Sequence, residues 1–147
     1  MIYFDTSVLA AYYTPEDRSV EAAALVAKAT YPVLSDLAVA EFNVVMVRKE
    51  KLGFLPQEGA EAVFSLFDEH RRDAFLTIAL EARHFEATRA LAIRSSARLR
   101  TLDALHLVIA SEVEATLATF DERLHEAARA AGLSVLPQTL REASGLL

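Results

Sequence analysis

The sequence contains no cysteine and few residues that interrupt secondary structure, with four glycines and four prolines among its 147 residues. The absence of cysteine excludes disulfide bonds and metal sites with thiolate ligands. No apolar run approaches the roughly 20 residues that a membrane-spanning helix needs. The amino terminus has no basic segment followed by an apolar one, so no secretory signal is expected. These absences predict a soluble, cytoplasmic protein without membrane attachment.

Hydrophobic residues make up 53% of the chain, which is ample for a packed core. The length predicts a single domain over residues 1–147. The apolar content exceeds what a monomer of this size needs, so we expect a homodimer or a docked partner to cover the surplus. The net charge of −6 argues mildly against nucleic-acid binding. Net charge, however, does not show where individual charges lie.

Short apolar runs alternate with helical segments along the whole chain. Strands are predicted at 2–4, 32–35, 75–79, 116–120 and 134–136, and helices at 7–13, 19–28, 38–51, 57–72, 81–98, 102–114 and 122–131. This alternation predicts an α/β fold, a three-layer sandwich with a central, mainly parallel sheet and helices on both faces. In such folds ligands bind at the carboxyl ends of the strands.

Four acidic residues have unusually apolar neighbours. Asp5 and Asp121 each follow a predicted strand, Glu41 has apolar residues three and four positions away on its helix, and Asp103 precedes a very apolar helix. A buried carboxylate without a partner is costly or becomes protonated. Divalent cations such as Mg²⁺ and Mn²⁺ prefer oxygen ligands and relieve this cost. The four acids are therefore candidates for one metal pocket.

Each acid alone has a simpler explanation. Asp5, Asp103 and Asp121 all precede predicted helices, where aspartate is a favoured N-cap. Glu41 could pair with an arginine or lie near the edge of its helix. The conjunction of all four favours the metal pocket. Four carboxylates held together without metal repel one another, so neutralising Asp103 is expected to stabilise the metal-free fold.

Four segments also match a family pattern. They are IYFDTS at 2–7, SDLAVAE at 35–41, LRTLDALHL at 99–107 and LATFD at 117–121. Over essentially its whole length the chain resembles PIN domains and, more closely, the VapC-type toxins of bacterial toxin–antitoxin systems. The resemblance implies a PIN fold, Mg²⁺ or Mn²⁺ as cofactor, and an endoribonuclease that hydrolyses RNA with a metal-activated water. It also implies a homodimer and a small antitoxin partner.

The resemblance further implies roles for individual residues. Asp5 and Asp103 would bind the metal directly, and Glu41 and Asp121 would complete the pocket, partly through water. Thr6 or Ser7 would supply a hydroxyl at the site. Glu41 and Asp121 are the better candidates for orienting the attacking water. A non-toxin PIN nuclease shares this pattern and stays an alternative, as does a catalytically silent partner-binding module of the same fold.

Basic residues near the acids are candidates for contacts with RNA phosphates. The main ones are Arg48, Arg94, Arg98 and Arg100, with Arg89, Lys49 and Lys51 as further candidates. The alternative is that they are ordinary solvated residues whose charges balance nearby acids. His106, three residues after Asp103, is expected to pack or hydrogen-bond rather than act as a base. The other histidines have no evident partner and are expected at the surface: His70, His84 and His125.

Two other classes fit the sequence less well. A phosphatase with an aspartyl nucleophile usually has a second aspartate two residues after the first, where this chain has Ser7. A receiver-like signalling domain needs an adjacent acidic pair at the first strand end, and none is present there. Turnover of p-nitrophenyl phosphate against cleavage of RNA would separate a phosphatase from a nuclease.

Overall fold

Short apolar runs form the strands of a parallel sheet in the computed structural model, which describes residues 1–140. The strands are β1 (Ile2–Phe4), β2 (Pro32–Ser35), β3 (Leu76–Ile78), β4 (Thr116–Ala118) and β5 (Val135–Leu136). The helices are α1 (Thr6–Tyr13), α2 (Ser19–Lys28), α3 (Asp36–Lys51), α4 (Gly59–Asp73), α5 (Ala82–Arg94), α6 (Thr101–Glu112) and α7 (Glu122–Ala130). The strand order is β3-β2-β1-β4-β5, and every neighbouring pair is parallel.

Successive residues of β1 face opposite sides of the sheet. Ile2 and Phe4 belong to one apolar cluster, with residues of α1 to α4. Tyr3 belongs to a second cluster, with residues of α6 and α7. Because side chains of a strand alternate between its two faces, a sheet that is apolar on both needs helices on both. The predicted three-layer α/β architecture is confirmed.

The order in which successive strands are added to the sheet reverses at β1. Strands β2 and β3 lie on one side of β1, whereas β4 and β5 lie on the other. Tyr3 pairs with Leu117 and Phe4 with Ala118, so β1 and β4 end at the same level. A crevice forms at such a reversal, outside the carboxyl ends of the strands, and it is the usual ligand site of an open α/β sheet.

Three predicted boundaries differ from the structure near this crevice. The helix predicted at 81–98 ends at Arg94, because Ser95 Oγ accepts a hydrogen bond from the Ala97 N–H (3.1 Å) in a local turn that competes with the helix. Strand β4 ends at Ala118, so Asp121 lies three residues beyond the strand. Helix α6 begins at Thr101, which places Asp103 inside its first turn.

Two histidines expected at the surface are buried, and that expectation was wrong. His84 Nδ1 accepts a hydrogen bond from the Glu81 N–H at the start of α5 (2.9 Å). His125 Nε2 donates to the Pro137 carbonyl (2.8 Å). His70 is half-buried against Tyr13. These partners are a backbone group or lie on other elements, so residue spacing does not reveal them.

Residues 141–147 lie outside the described part of the chain. The single domain over residues 1–147 therefore stays a prediction. Among the described helices, none combines the length and the apolar character that crossing a membrane requires.

Candidate active site

The four acids line one cleft at the carboxyl ends of β1 and β4. The cleft has a volume of about 730 Å³, and its acidic lining consists of Asp5, Glu41, Asp103 and Asp121. Apolar residues of α3, α6 and α7 form its walls: Leu37, Val44, Val45, Leu102 and Leu124. Thr6 and Ser7 also lie on the cleft. The topology thus brings together acids that are up to 116 positions apart in the sequence.

Asp5 is buried and fully hydrogen-bonded. It is the N-cap of α1, where Oδ1 accepts from the Ser7 N–H (3.1 Å) and the Val8 N–H (3.4 Å). The same oxygen accepts from Ser7 Oγ (2.6 Å), and Oδ2 accepts from Thr119 Oγ1 (2.9 Å). Burial raises the pKa of Asp5, and the lowering effects of His106 and of these hydrogen bonds do not cancel that rise. A cation beside Asp5 would favour its ionised form.

Two hydroxyl groups join the end of β1 to the loop after β4. Ser7 Oγ accepts a hydrogen bond from the Phe120 N–H (2.8 Å) while donating to Asp5. Thr119 Oγ1 accepts from the Asp121 N–H (3.0 Å) while donating to Asp5. Thr119 therefore positions two of the acids, and the sequence analysis missed it. Its only sequence signal is its place between a strand and Asp121.

Glu41 is half-buried and receives two strong donors. Thr6 Oγ1 donates to Glu41 Oε2 (2.7 Å), and His106 Nε2 lies 2.7 Å from the same oxygen. Burial raises the pKa of Glu41, but the hydrogen bonds and charge of His106, together with Thr6, outweigh it and lower the pKa overall. Glu41 is thus held as a carboxylate, with its Oε2 fixed toward α1 and α6.

A buried chain of hydrogen bonds stands behind His106. Tyr3 Oη lies 2.7 Å from His106 Nδ1 and 2.7 Å from Ser35 Oγ. Ser35 Oγ also accepts from the Ala38 N–H (3.3 Å), so its own proton is available for Tyr3. When His106 is neutral, one arrangement satisfies every group: Ser35 donates to Tyr3, Tyr3 donates to Nδ1, and Nε2–H donates to Glu41. The expected hydrogen-bonding role of His106 agrees with this geometry.

Asp103 and Asp121 share one arginine. Arg100 donates to Asp103 through Nε (2.8 Å) and Nη2 (3.2 Å), and the same Nη2 lies 3.2 Å from Asp121 Oδ2. These contacts raise the pKa of Arg100, and the hydrogen bond that Arg100 donates to Asp103 contributes most. Asp121 caps α7 as expected, through the N–H groups of Arg123 and Leu124.

Two expectations about Asp103 were that it caps its helix and that its charge is repelled by the other acids. The structure agrees with neither of them. Asp103 makes no N-cap, because Arg100 occupies the cap position of α6. Its carboxylate also faces no uncompensated repulsion, because Arg100 pairs with it and with Asp121. The basis for expecting a more stable metal-free protein after neutralisation of Asp103 is therefore wrong.

The sequence model of the PIN domain family matches residues 2–130, which is most of the chain. The chain belongs to the PIN domain family. The membership expected from the four sequence segments is confirmed. No curated protein sequence matches this member of the family significantly.

Solved structures share the PIN fold with this chain at low sequence identity. VapC20 of Mycobacterium tuberculosis, a toxin that cleaves the sarcin–ricin loop, superposes with a TM-score of 0.70 and 18% identity, covering 90% of this chain and 96% of that one. VapBC2 of Rickettsia felis, bound to promoter DNA, superposes with a TM-score of 0.65 and 19% identity, covering 92% of this chain and 97% of that one. A chain of a toxin–antitoxin complex of Klebsiella pneumoniae superposes with a TM-score of 0.63 and 20% identity, covering 97% of this chain and 99% of that one.

The four basic residues proposed for RNA contacts divide into two groups in this PIN domain. Arg48 and Arg100 line the acidic cleft. Arg94 lines a different groove between α5, α6 and α7, and Arg98 is exposed on the segment between α5 and α6. Lys49, a further candidate, pairs with Glu16. The structure thus retains two of the four at the cleft.

The donor set of the cleft fits Mg²⁺ or Mn²⁺. Carboxylate and hydroxyl oxygens are the ligands that these ions prefer. As the side chains lie, however, no group of three His, Asp or Glu residues in the described part of the chain is arranged to hold a metal ion. A cation already stands between two of the acids in the form of Arg100. The residues therefore fit a divalent ion once the arginine moves.

Proposed function

We propose that this PIN domain is a Mg²⁺- or Mn²⁺-dependent endoribonuclease, the toxin of a VapBC-type toxin–antitoxin pair. The observation that carries the proposal is that four carboxylates line one cleft where the strand order reverses between β1 and β4. Membership of the PIN family supports a nuclease in general. Hydrolysis of a phosphodiester requires an attacking water, neutralisation of phosphate charge and stabilisation of the leaving oxygen, and an acidic metal pocket suits these requirements.

Asp5 and Asp103 are the proposed direct metal ligands, and Glu41 and Asp121 complete the set. A bound divalent ion would activate water and neutralise the charge of the phosphate. Glu41 Oε2 receives Thr6 and His106, whereas Oε1 accepts no hydrogen bond among residues 1–140. The free Oε1 of this ionised carboxylate suits the orientation of an attacking water and acceptance of its proton.

Substrate binding requires positive charge beside the acids. Arg48 on α3 and Arg100 before α6 both line the cleft, and both are exposed. Phosphate contacts of this kind give affinity without sequence preference. The net charge of −6 is compatible with this role, because RNA meets the charges at the cleft rather than the total.

The toxin assignment rests on a second surface. Val44 and Val47 of α3, together with Leu52, are 58%, 40% and 65% exposed, and they line a groove of about 610 Å³ beside the acidic cleft. We propose that an apolar antitoxin segment binds there and places an arginine into the cleft. The apolar surplus of the sequence is also the basis for the proposed homodimer.

Cleavage of a labelled RNA by the purified full chain tests the enzymatic proposal. We expect cleavage with Mg²⁺ or Mn²⁺, none with EDTA, and no turnover of p-nitrophenyl phosphate. Cleavage that EDTA does not reduce would exclude the metal mechanism. Turnover of p-nitrophenyl phosphate without RNA cleavage would favour a phosphatase.

Expression in a bacterial host tests the toxin proposal separately. We expect strong expression of the wild type to arrest growth, and we expect Asp5→Ala or co-expression of the partner gene to relieve the arrest. Healthy growth of a host that contains active, unpartnered wild-type protein would identify a non-toxin PIN nuclease instead.

A further inference from the structure

We infer that Arg100 is an internal counter-cation that occupies the place of the metal, so that metal binding and release of Arg100 are one event. The inference rests on the metal site of the proposed function. It concerns the metal-free protein and how readily that protein takes up a divalent ion.

The first observation is that one nitrogen serves two acids. Arg100 Nη2 lies 3.2 Å from Asp103 Oδ1 and 3.2 Å from Asp121 Oδ2, while Nε holds the second oxygen of Asp103 at 2.8 Å. The acids belong to different segments, Asp103 to α6 and Asp121 to the loop before α7. Carboxylate oxygens from two segments that meet in this way would suit a divalent cation, which prefers oxygen ligands.

The second observation is that Arg100 is the movable member of this cluster. The side chain of Arg100 is 45% exposed, whereas that of Asp103 is 9% exposed. Asp121 is held by two backbone N–H groups as the cap of α7. Arg100 makes no side-chain cap on α6 and belongs to neither apolar cluster. The guanidinium can therefore swing toward solvent without disturbing the core, whereas the two acids cannot.

The third observation is that Arg100 bonds oxygens of two acids proposed to bind the metal, both oxygens of Asp103 and one of Asp121. With the side chains in this arrangement, no three acidic or histidine residues in the described part of the chain are placed to hold a metal ion. Metal and guanidinium thus compete for the same oxygens. The apparent association constant for metal is then the intrinsic constant multiplied by the fraction of metal-free molecules in which Arg100 is released. When that fraction is small, metal binds more weakly. By reciprocity, bound metal favours the released arginine.

Release leaves a guanidinium at the mouth of the cleft. Its planar fork of donors matches two phosphate oxygens. The same residue therefore neutralises the acids before metal binds and is available to a substrate phosphate afterwards. This explains how Arg100 both pairs with Asp103 and lies where an RNA contact was predicted.

Removal of Arg100 is expected to change stability and metal affinity in opposite directions, which a purely structural arginine would not do. Removing the guanidinium takes a favourable ion pair from the metal-free protein and lowers its melting temperature. The same change frees Asp103 and Asp121 for metal and increases metal affinity. An arginine with only a structural role would, when removed, lower both stability and metal affinity.

Calorimetric titration with Mn²⁺ tests the inference on the EDTA-stripped full chain. The variants are Arg100→Gln and a matched control, Arg123→Gln, which removes an exposed arginine near Asp121 that makes no ion pair within residues 1–140. We expect the Kd of Arg100→Gln to fall by about fivefold or more, the lower end of typical coupling between binding events. We expect the control to bind Mn²⁺ like the wild type, and Arg100→Gln to melt at a lower temperature in EDTA.

Arg100→Lys provides a second variant if Arg100→Gln does not fold. It keeps the charge but lacks the fork that spans both acids, so we expect a Kd between those of the wild type and Arg100→Gln. Unchanged or weaker Mn²⁺ binding by the Arg100 variants, with Asp103→Asn still losing binding, would overturn this inference alone. An equal gain in the Arg123→Gln control would reduce the effect to net charge and also overturn it. No binding by any of these proteins would overturn the metal site and the inference together.

Discussion

Two of the four acids receive fixed hydrogen-bond donors at the cleft, whereas the other two share one exposed arginine as their counter-ion. Asp5 and Glu41, the fixed pair, receive donors from backbone N–H groups, from the hydroxyls of Ser7, Thr119 and Thr6, and from His106. Asp103 and Asp121, the bridged pair, share Arg100. Folding fixes the donors to the first pair, whereas the counter-ion of the bridged pair is open to solvent, even though backbone N–H groups also hold Asp121. The surroundings of the fixed pair are therefore more strongly preorganised than those of the bridged pair.

Removal of one acid from each pair is expected to have the largest effect on RNA cleavage. We expect Asp5→Ala and Asp103→Ala each to reduce RNA cleavage by about 100-fold or more, because even outer-shell partners of a bound metal typically contribute 10- to 100-fold. Asp68→Ala, which removes an exposed acid of α4, is the control and keeps full activity. Circular dichroism checks that the variants are folded. Undiminished cleavage by both cleft variants would refute the site.

The chain of hydrogen bonds behind the fixed pair is expected to contribute strongly to stability. Tyr3→Phe leaves Ser35 Oγ and His106 Nδ1 without the hydroxyl that they share. We expect a loss of about 1–3 kcal/mol in the free energy of unfolding, the usual cost of buried polar groups left unpaired. Urea denaturation measures it. Tyr12→Phe is the control, because its hydroxyl makes no hydrogen bond within residues 1–140, and equal losses in both variants would contradict this account.

The pH dependence of stability separates the two members of the fixed pair. His106 and Thr6 hold the pKa of Glu41 below its ordinary value of 4.5, so ionised Glu41 stabilises the fold above that pH, and this contribution is lost as pH falls through its folded pKa. Asp5 acts in the opposite direction. Its pKa is raised above 3.8, so it stabilises the fold below that pH and loses this contribution as pH rises through its folded pKa.

Glu41→Gln isolates the first of these two contributions. Asp5 is present in both proteins, so its contribution largely cancels in the difference. In EDTA, we expect wild type to be more stable than the variant at pH 7, and the difference to shrink as pH falls below 4.5. Urea denaturation at a series of pH values measures the difference. A difference that does not change with pH would show that the Glu41 charge contributes nothing to folding.

The smallest expected effect lies on the rim of the cleft. Arg48→Gln should change stability by no more than about 0.5 kcal/mol, as surface substitutions usually do. It should weaken RNA binding for all sequences and reduce the slope of log affinity against log salt by about one. Arg129→Gln, an exposed arginine of α7 away from the acidic cleft, is the control. An unchanged salt dependence in Arg48→Gln would remove it from the RNA surface.

The fold and the acids were predictable because their signals are local. Apolar runs of strand length between helical segments gave the parallel sheet, and apolar neighbours identified Asp5, Glu41, Asp103 and Asp121. Strand order was not predicted, because short apolar strands resemble one another and pairing depends on the whole chain. The end of α5 at Arg94 was missed, because one serine side chain determines it.

The partners of the acids were less predictable than the acids. Tyr3 and His106 are 103 positions apart, and Thr119 and Asp5 are 114 apart, so no spacing rule brings them together. Arg100 and Asp103 are three residues apart, a spacing at which opposite charges meet in a helix. That pairing was available from the sequence. The prediction named Arg100 as a phosphate contact, with a solvated arginine that balances nearby acids as the alternative, but it did not pair Arg100 with Asp103.

Asp103 is proposed to belong to a metal pocket and not merely to helix α6. Thermal melts of wild type and Asp103→Asn, with EDTA and with excess Mn²⁺, distinguish the two roles. In EDTA we expect the variant to melt lower, because Arg100 loses its bidentate carboxylate. Metal should stabilise the wild type, by about 2.7 kcal/mol at about 100 times its Kd, and the variant much less. Equal stabilisation of both proteins by Mn²⁺ would contradict the pocket.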